Sequence, residues 1–461
     1  MVDVPREASR RVLAALYPSL VPALRHAGWF AVFLMLAPAI GPRGYGLFIV
    51  ALSGVAIVEG LWAAILSGAL TGVAALDARH WSTALVTAIA GGGALWAALY
   101  TLTGPLSMLL GEPASSDLLQ SLAILPLLGG LAAVPGAALR REGRETPLVA
   151  ASLAGFAAGG GIAVSLAWSG AGPWSLAAQI IVWRLVECVV LWGIPGERVG
   201  LEWSRRHFAE LTGAVRWRSL VADDGQLLFY ATSLAVGLVL GPSAAGLYVL
   251  AVRPAAALAD LALAQAAPET SREALRPVWR LAFPAVLAST LMAVALPPLV
   301  DLRWWGAVFP AQILALGAIP AVLCGAAAPL DRSRQTLGGI AVAVLAAGYG
   351  LAAIAGASLA WTALCAAAGL PVICRRLDRE WRAALRDAAR PAAGAALAGL
   401  ALLALTGPVS LNLATVPTLC LLIATGWLIY LIVRGDAAGA GHAQPVFAPA
   451  MAAPMPPESG D

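Results

Sequence analysis

Apolar runs of about 20 residues, the length that crosses a bilayer core as a helix, follow one another along most of the chain. No other feature restricts the fold as much. In hydrocarbon every backbone N–H and C=O must be satisfied within the protein, which leaves helices or a closed barrel. The runs are long, uninterrupted and without a period of two, so helices are expected rather than barrel strands. Composition agrees: 60% of 461 positions are apolar and 12% charged, against about 25% charged in soluble domains.

Breaking the chain at Gly, Pro and charge clusters predicts about fourteen spans, near 18–40, 44–70, 82–104, 118–139, 147–168, 173–195, 221–240, 244–266, 278–300, 305–328, 336–355, 358–374, 391–406 and 412–433. The first apolar run follows Arg6, Arg10 and Arg11 and continues into further spans without a small-residue cleavage site. It therefore reads as the first membrane helix rather than a removed signal. Residues 435–461, rich in Ala, Gly and Pro, are expected to be a disordered cytoplasmic tail.

Arginine sets the expected orientation. With a cytoplasmic N-terminus, and with Arg280 at the edge of span 278–300 counted with the loop before it, 24 of the 29 Arg fall on the cytoplasmic side, Arg43 and Arg303 fall outside, and Arg25, Arg184 and Arg253 fall within spans. Such an asymmetry satisfies the positive-inside rule in one sense only and puts both termini in the cytoplasm. The basic residues are all Arg. A Walker A loop needs Gly-Lys-Ser/Thr, so an ATPase of that type is excluded. Arg confined to short loops gives no nucleic-acid surface. Cys188, Cys324, Cys365, Cys374 and Cys420 lie in or at the ends of apolar runs with no CxxC pair. They read as buried small side chains, and no disulfide, metal or cofactor is expected.

The chain repeats itself. GPRGYGLFIVA, 41–51, returns as GPSAAGLYVLA, 241–251, with Gly41/Gly241, Pro42/Pro242, Gly46/Gly246, Leu47/Leu247 and Ala51/Ala251 identical. Both copies fall on a short external turn opening an even-numbered helix. Gly-Pro makes the turn, and the second Gly allows helices to approach closely. Six spans separate the copies, so the repeat is parallel, about an axis along the membrane normal. The expected architecture is an all-α polytopic membrane protein: an N-terminal segment 1–17, a six-helix bundle 18–195, a cytoplasmic linker 196–220, a second six-helix bundle 221–374, and two additional helices within 391–433.

These turns, with GAGPWSLAAQIIVWR at 170–184 and DLRWWGAVFPAQILAL at 301–316, resemble the O-antigen and exopolysaccharide flippases, a family of the multidrug/oligosaccharidyl-lipid/polysaccharide exporter superfamily. The resemblance covers roughly 18–433. It implies a secondary carrier, not an enzyme, that moves a lipid-linked oligosaccharide of the polyprenyl diphosphate type to the periplasmic leaflet. The setting would be the inner membrane, in exopolysaccharide or lipopolysaccharide biosynthesis. Its partners would be membrane lipids, a polysaccharide polymerase and export machinery. One departure is clear: where relatives place an Asp in span seven, this chain carries Thr232 and Ser233.

Ionisable groups within spans are costly and are functional candidates by default. Arg25, Arg184 and Arg253 are the candidates for binding an anionic substrate in a central cavity, because a guanidinium donates two hydrogen bonds to a phosphate. Arg184 and Glu187, three apart on one helix, could instead pair with each other. Glu59, Asp260 and His26 are the ion-coupling candidates. Asp223 and Asp224 read as interfacial, and Trp29, Trp62, Trp96, Trp174, Trp304 and Trp305 mostly as interface anchors. Two alternatives compete: a multidrug extruder of the same superfamily, and a membrane-embedded polymerase or glycosyltransferase. The external loops are too short and too poor in charge to suit the enzyme.

Reporter fusions at Gly111 and Gly143 should give external and cytoplasmic signals respectively. The reverse pattern overturns the orientation.

Overall fold

A computed structural model describes residues 4–109, 111–194, 199–215, 226–265, 302–327 and 332–376. The expected span 278–300, Asp223 and Asp224, the helices within 391–433 and the tail 435–461 lie outside them. Among the described residues there is no strand. Helix α1 is Val4–Gly72, α2 Ala78–Leu109, α3 Ser116–Leu122, α4 Leu125–Arg141, α5 Glu145–Trp168, α6 Pro173–Gly193, α7 Arg205–Ala214, α8 Gln226–Leu240, α9 Pro242–Gln265, α10 Val308–Ala327, α11 Arg332–Ala347 and α12 Leu351–Arg376. Among the described residues six stretches are long and apolar enough to cross a membrane, the first being Gly28–Gly72.

That first stretch is two spans. Gly41 sits at φ 68, ψ 170, outside the helical region, and the ladder breaks there. Phe33 and Tyr45 would be about 18 Å apart along a straight helix, yet their ring centroids are 5.3 Å apart. The two limbs therefore fold back on each other as a hairpin. Gly241, between α8 and α9, repeats the device with φ 85. A side chain would strain the backbone at both places. Pro242 then opens α9 as its first residue, where its fixed φ and missing N–H are no handicap.

The two copies of the repeated phrase meet each other. A Cβ on Gly46 would collide with the carbonyl oxygen of Pro242, and a Cβ on Gly246 with that of Pro42. The Gly246 nitrogen lies 3.0 Å from the Cβ position of Gly46, and the Gly46 nitrogen 3.1 Å from that of Gly246. The contact is reciprocal, as two-fold-related elements require when they cross at their axis. Around it lies the main core. Tyr45, Phe48, Ile49, Val50, Ala51 and Val55 from α1 pack with Val236, Ala245, Tyr248, Val249 and Leu250 from α8 and α9. Trp304, expected as an interface anchor, is instead fully buried in this core, with Phe33 and Tyr45 ring centroids at 5.1 and 6.0 Å.

The two ends of the bundle differ. At one, Arg141 donates to the carbonyls of Leu70, Val73 and Ala74 at 2.7–3.0 Å. It thereby caps the C-terminus of α1, where orphan carbonyls and the helix dipole favour a cation. Arg140 reaches the Ser67 hydroxyl at 2.9 Å. This Arg-rich end also carries α7, a helix inside the stretch expected to be a plain linker. Leu211 of α7 is buried against Leu66, Leu70, Trp81 and Val134. At the other end are Arg43, paired with Glu112 at 3.1 Å, and Arg303, which donates to the Pro38 carbonyl at 3.0 Å beside the Gly41 break. A second boundary also moves. The expected turn at 356–357 falls at 348–350, where Gly350 adopts φ 97 and α12 runs on unbroken from Leu351.

Gly46→Ala and Gly246→Ala should each lower the thermal midpoint in detergent by the equivalent of about 2 kcal/mol, an overpacking cost against a fixed backbone. Gly54→Ala, where a new Cβ meets nothing within 4 Å, should leave the midpoint unchanged or raise it. Equal effects at all three positions would contradict the crossing.

Candidate functional site

Below the crossing, charged and aromatic groups of both halves converge. Arg253 lies seven residues, about 10 Å, along α9 from Gly246, and Glu59 thirteen residues, about 20 Å, along α1 from Gly46. Both sit within the bilayer core, where ionisable groups face the bundle interior or a water-filled cavity.

Arg184 on α6 is held by two carboxylates. Its Nε is 2.8 Å from Oε1 of Glu59, and its Nη1 donates to Oε2 of Glu187 at 3.0 Å. The Glu59 side chain is 6% exposed and that of Arg184 39%, so the guanidinium keeps an open side. Glu187 is the expected same-helix partner. Helical spacing gives no sign of the Glu59 contact, because Glu59 lies on a helix 125 residues away in the chain. Space for its carboxylate is provided by Gly129 on α4, where a Cβ would come within 2.9 Å of Oε1.

Arg253 is held differently. Its guanidinium stacks over the rings of Trp29 and Phe229, 4.7 and 4.6 Å from their centroids, and its Nε is buried without a hydrogen-bond partner. Among the described residues no carboxylate lies within ion-pair distance. Trp29 and Phe229 are themselves 200 residues apart, the spacing of the repeat. Arg253 thus lies between aromatic rings at matching positions of the repeated sequence. The cage extends into the first half, where Trp29, Phe156 and Trp183 pack with centroids 5.6–5.8 Å apart. Trp183 ends beneath Arg184, 5.9 Å from its guanidinium carbon. Tyr230 packs beside Phe229, with ring centroids 5.2 Å apart.

The structure therefore joins two of the three Arg candidates, Arg184 and Arg253, through one ring cluster, and adds Glu59 as a counter-ion. Arg25 and His26 lie on the first limb of α1, and Asp260 on α9, but their side chains are outside the described residues. Thr232 and Ser233 are buried on α8. Sequence reading missed Trp29, Phe229 and Tyr230 as site residues. The signal was available: Trp29-Phe30 and Phe229-Tyr230 are aromatic pairs at the repeat offset.

A bundle of long apolar helices with a charged, ring-lined centre defines a polytopic helical membrane protein. Solved structures share the fold. A lipid II flippase, MurJ, in an inward closed conformation superposes with a TM-score of 0.65 at 10% identity, over 93% of this chain and 99% of that one. An inward-facing multidrug resistance MATE transporter of the MOP superfamily gives 0.55 at 15% identity, over 78% and 98%. No curated protein matches the chain in sequence. A sequence profile for the family described as polysaccharide biosynthesis protein matches residues 35–265, half of the chain, and the protein belongs to that family.

Glu59→Gln should lower the thermal midpoint by the equivalent of roughly 2 kcal/mol. This is less than the about 3–5 kcal/mol of a fully buried pair, because Arg184 keeps an open side. In a double-mutant cycle with Arg184→Gln the coupling should be about 1 kcal/mol or more. Strict additivity would mean that the pair contributes nothing.

Proposed function

We propose that the protein is a flippase for a lipid-linked oligosaccharide, carrying it from the cytoplasmic to the periplasmic leaflet for cell-surface polysaccharide biosynthesis. The observation that carries the reading is the pair Arg184 and Arg253, two intramembrane guanidinium groups from opposite halves joined by aromatic rings. The family description and the lipid II flippase neighbour support it. A polyprenyl diphosphate offers phosphate oxygens for the guanidinium forks. Sugar rings offer C–H faces to Trp29, Trp183 and Phe229. Arg25 is the third cation in this reading.

The two halves, 18–195 and 221–374, rock about the Gly46–Gly246 crossing and open the site to one side and then the other. The Arg-rich end is cytoplasmic, and the membrane is the bacterial inner membrane. Glu59 acts as the exchangeable counter-ion of Arg184. When the diphosphate takes the guanidinium, the carboxylate is left buried and takes up a proton, which couples substrate entry to protonation. Asp260 and His26 are the other groups that could share this coupling. The protein is no enzyme in this scheme. A polymerase and export machinery act on the product.

In cells lacking the native gene, Arg184→Gln and Arg253→Gln should insert at wild-type abundance and export at least about tenfold less glycan. Arg→Lys at either position should recover only part of it, since charge is kept and the bidentate fork lost. Normal export by both neutral variants would reject the site. Unchanged glycan export on deletion of the gene, with increased sensitivity to cationic drugs, would favour the multidrug extruder instead.

A further inference from the structure

The Arg-rich end holds a histidine cluster that the transport reading does not use, although the sequence offered no metal motif. Asp77 caps α2: its Oδ1 accepts the backbone N–H of Arg79 at 3.0 Å and of His80 at 2.9 Å. The same carboxylate meets two imidazoles. Nδ1 of the buried His80 is 2.8 Å from Oδ1, and Nε2 of His207, on α7, is 3.4 Å from Oδ2. The ligand atoms of all three residues lie within 4.8 Å of one another. The rings meet edge to face with centroids 4.4 Å apart.

The far nitrogens are also engaged. Nε2 of His80 is 2.9 Å from Oε2 of Glu210, and Nδ1 of His207 is 2.7 Å from the Ser204 hydroxyl. A neutral imidazole carries a single N–H. If His80 donates it to Glu210, the Nδ1 lone pair accepts the backbone N–H of Asp77 at 3.3 Å and stands 2.8 Å from the Asp77 carboxylate, a repulsive contact that a cation between them would relieve. Metal-binding histidines are arranged in this way, with the ligating nitrogen inward and the other ring N–H tied to a carboxylate or hydroxyl.

We propose that Asp77, His80 through Nδ1 and His207 through Nε2 form a binding site for a divalent transition-metal ion of the zinc type. Two imidazoles and one carboxylate suit that ion, with solvent as fourth ligand. At about 2.0–2.1 Å from the metal, tetrahedral ligand atoms stand about 3.3 Å apart; the 2.8 and 3.4 Å contacts are close to that spacing, and the two imidazole nitrogens, within 4.8 Å of each other, close by up to about 1.5 Å to complete the site. Glu210 and Ser204 orient the rings, and Arg206, 2.9 Å from the other oxygen of Glu210, fixes that carboxylate. Asp77 and His80 belong to the α1–α2 corner and His207 to α7, 127 residues further on. The ion therefore staples α7, the helix before the chain enters its second half, to the end of the first. This site is independent of the proposed transport function.

The full-length protein, purified through a tag without histidine, reconstituted in nanodiscs and stripped with chelator, would be titrated with Zn2+ and Co2+. Wild type is expected to bind one equivalent, with a tetrahedral Co2+ spectrum, slower amide exchange across 205–214 and a raised thermal midpoint. His80→Ala and His207→Gln should each weaken binding at least about a hundredfold, and Glu210→Gln about tenfold to a hundredfold. His442→Ala should bind normally. Glu210→Gln leaves every ligand in place and so tests the site even if a ligand variant fails to fold. No binding, binding unchanged by His207→Gln, or protection of α7 that follows pH and ignores metal would each overturn the proposal; the last would mean that the cation at Asp77 is a proton.

Discussion

The reciprocal approach of Gly46 and Gly246 is the constraint on which the rest of the structure depends. Neither helix could come so near the other with a side chain there, because the groups that would collide are the carbonyls of Pro42 and Pro242, which are fixed by the turns. Once backbones touch at one point, helix rise sets the depth of everything along α1 and α9. Glu59 and Arg253 are brought to the bilayer interior on either side of the seam, and the aromatic pairs 29–30 and 229–230 flank it. In membranes such contacts matter more than hydrophobicity, since lipid is as apolar as Leu and close packing must hold the helices together.

The halves stabilise their cations by different means. Arg184 has two carboxylates, a charged arrangement that is strong but costly to desolvate. Arg253 has two ring faces, which attract a cation without supplying a compensating charge. The first can exchange one anion for another, while the second leaves a net positive charge. That asymmetry lies beside a contact, Gly46 on Gly246, that is itself reciprocal.

At the Arg-rich end the cations do more than report orientation. Arg141 closes the C-terminus of α1, Arg140 ties α4 to it, and Arg206 steadies Glu210 against His80. The helix α7 packs its apolar residues on the same end, so this part of the stretch joining the halves is an ordered piece of the first rather than a loose tether. Any rocking of the halves therefore carries α7 along with the first and pivots at the central seam.

The sequence determined the class of fold. Runs of membrane length, Arg concentrated in alternate loops and a phrase repeated at an offset of 200 leave room for little but a helical membrane protein with matched turns, because lipid tolerates no unsatisfied backbone and glycines at matched positions imply matched turns. It also located Arg184, Arg253 and the Arg184–Glu187 pair, which come from helical spacing alone. Other pairings were beyond it. Glu59 meets Arg184, Arg253 enters a cage of Trp29 and Phe229, Trp304 leaves the interface for the core, and His207 reaches Asp77 and His80. Each joins residues far apart in the chain, and sequence spacing is silent about contacts made across a seam. Helical periodicity dictates which side chains share a face; only the packing of one helix on another decides what that face will touch.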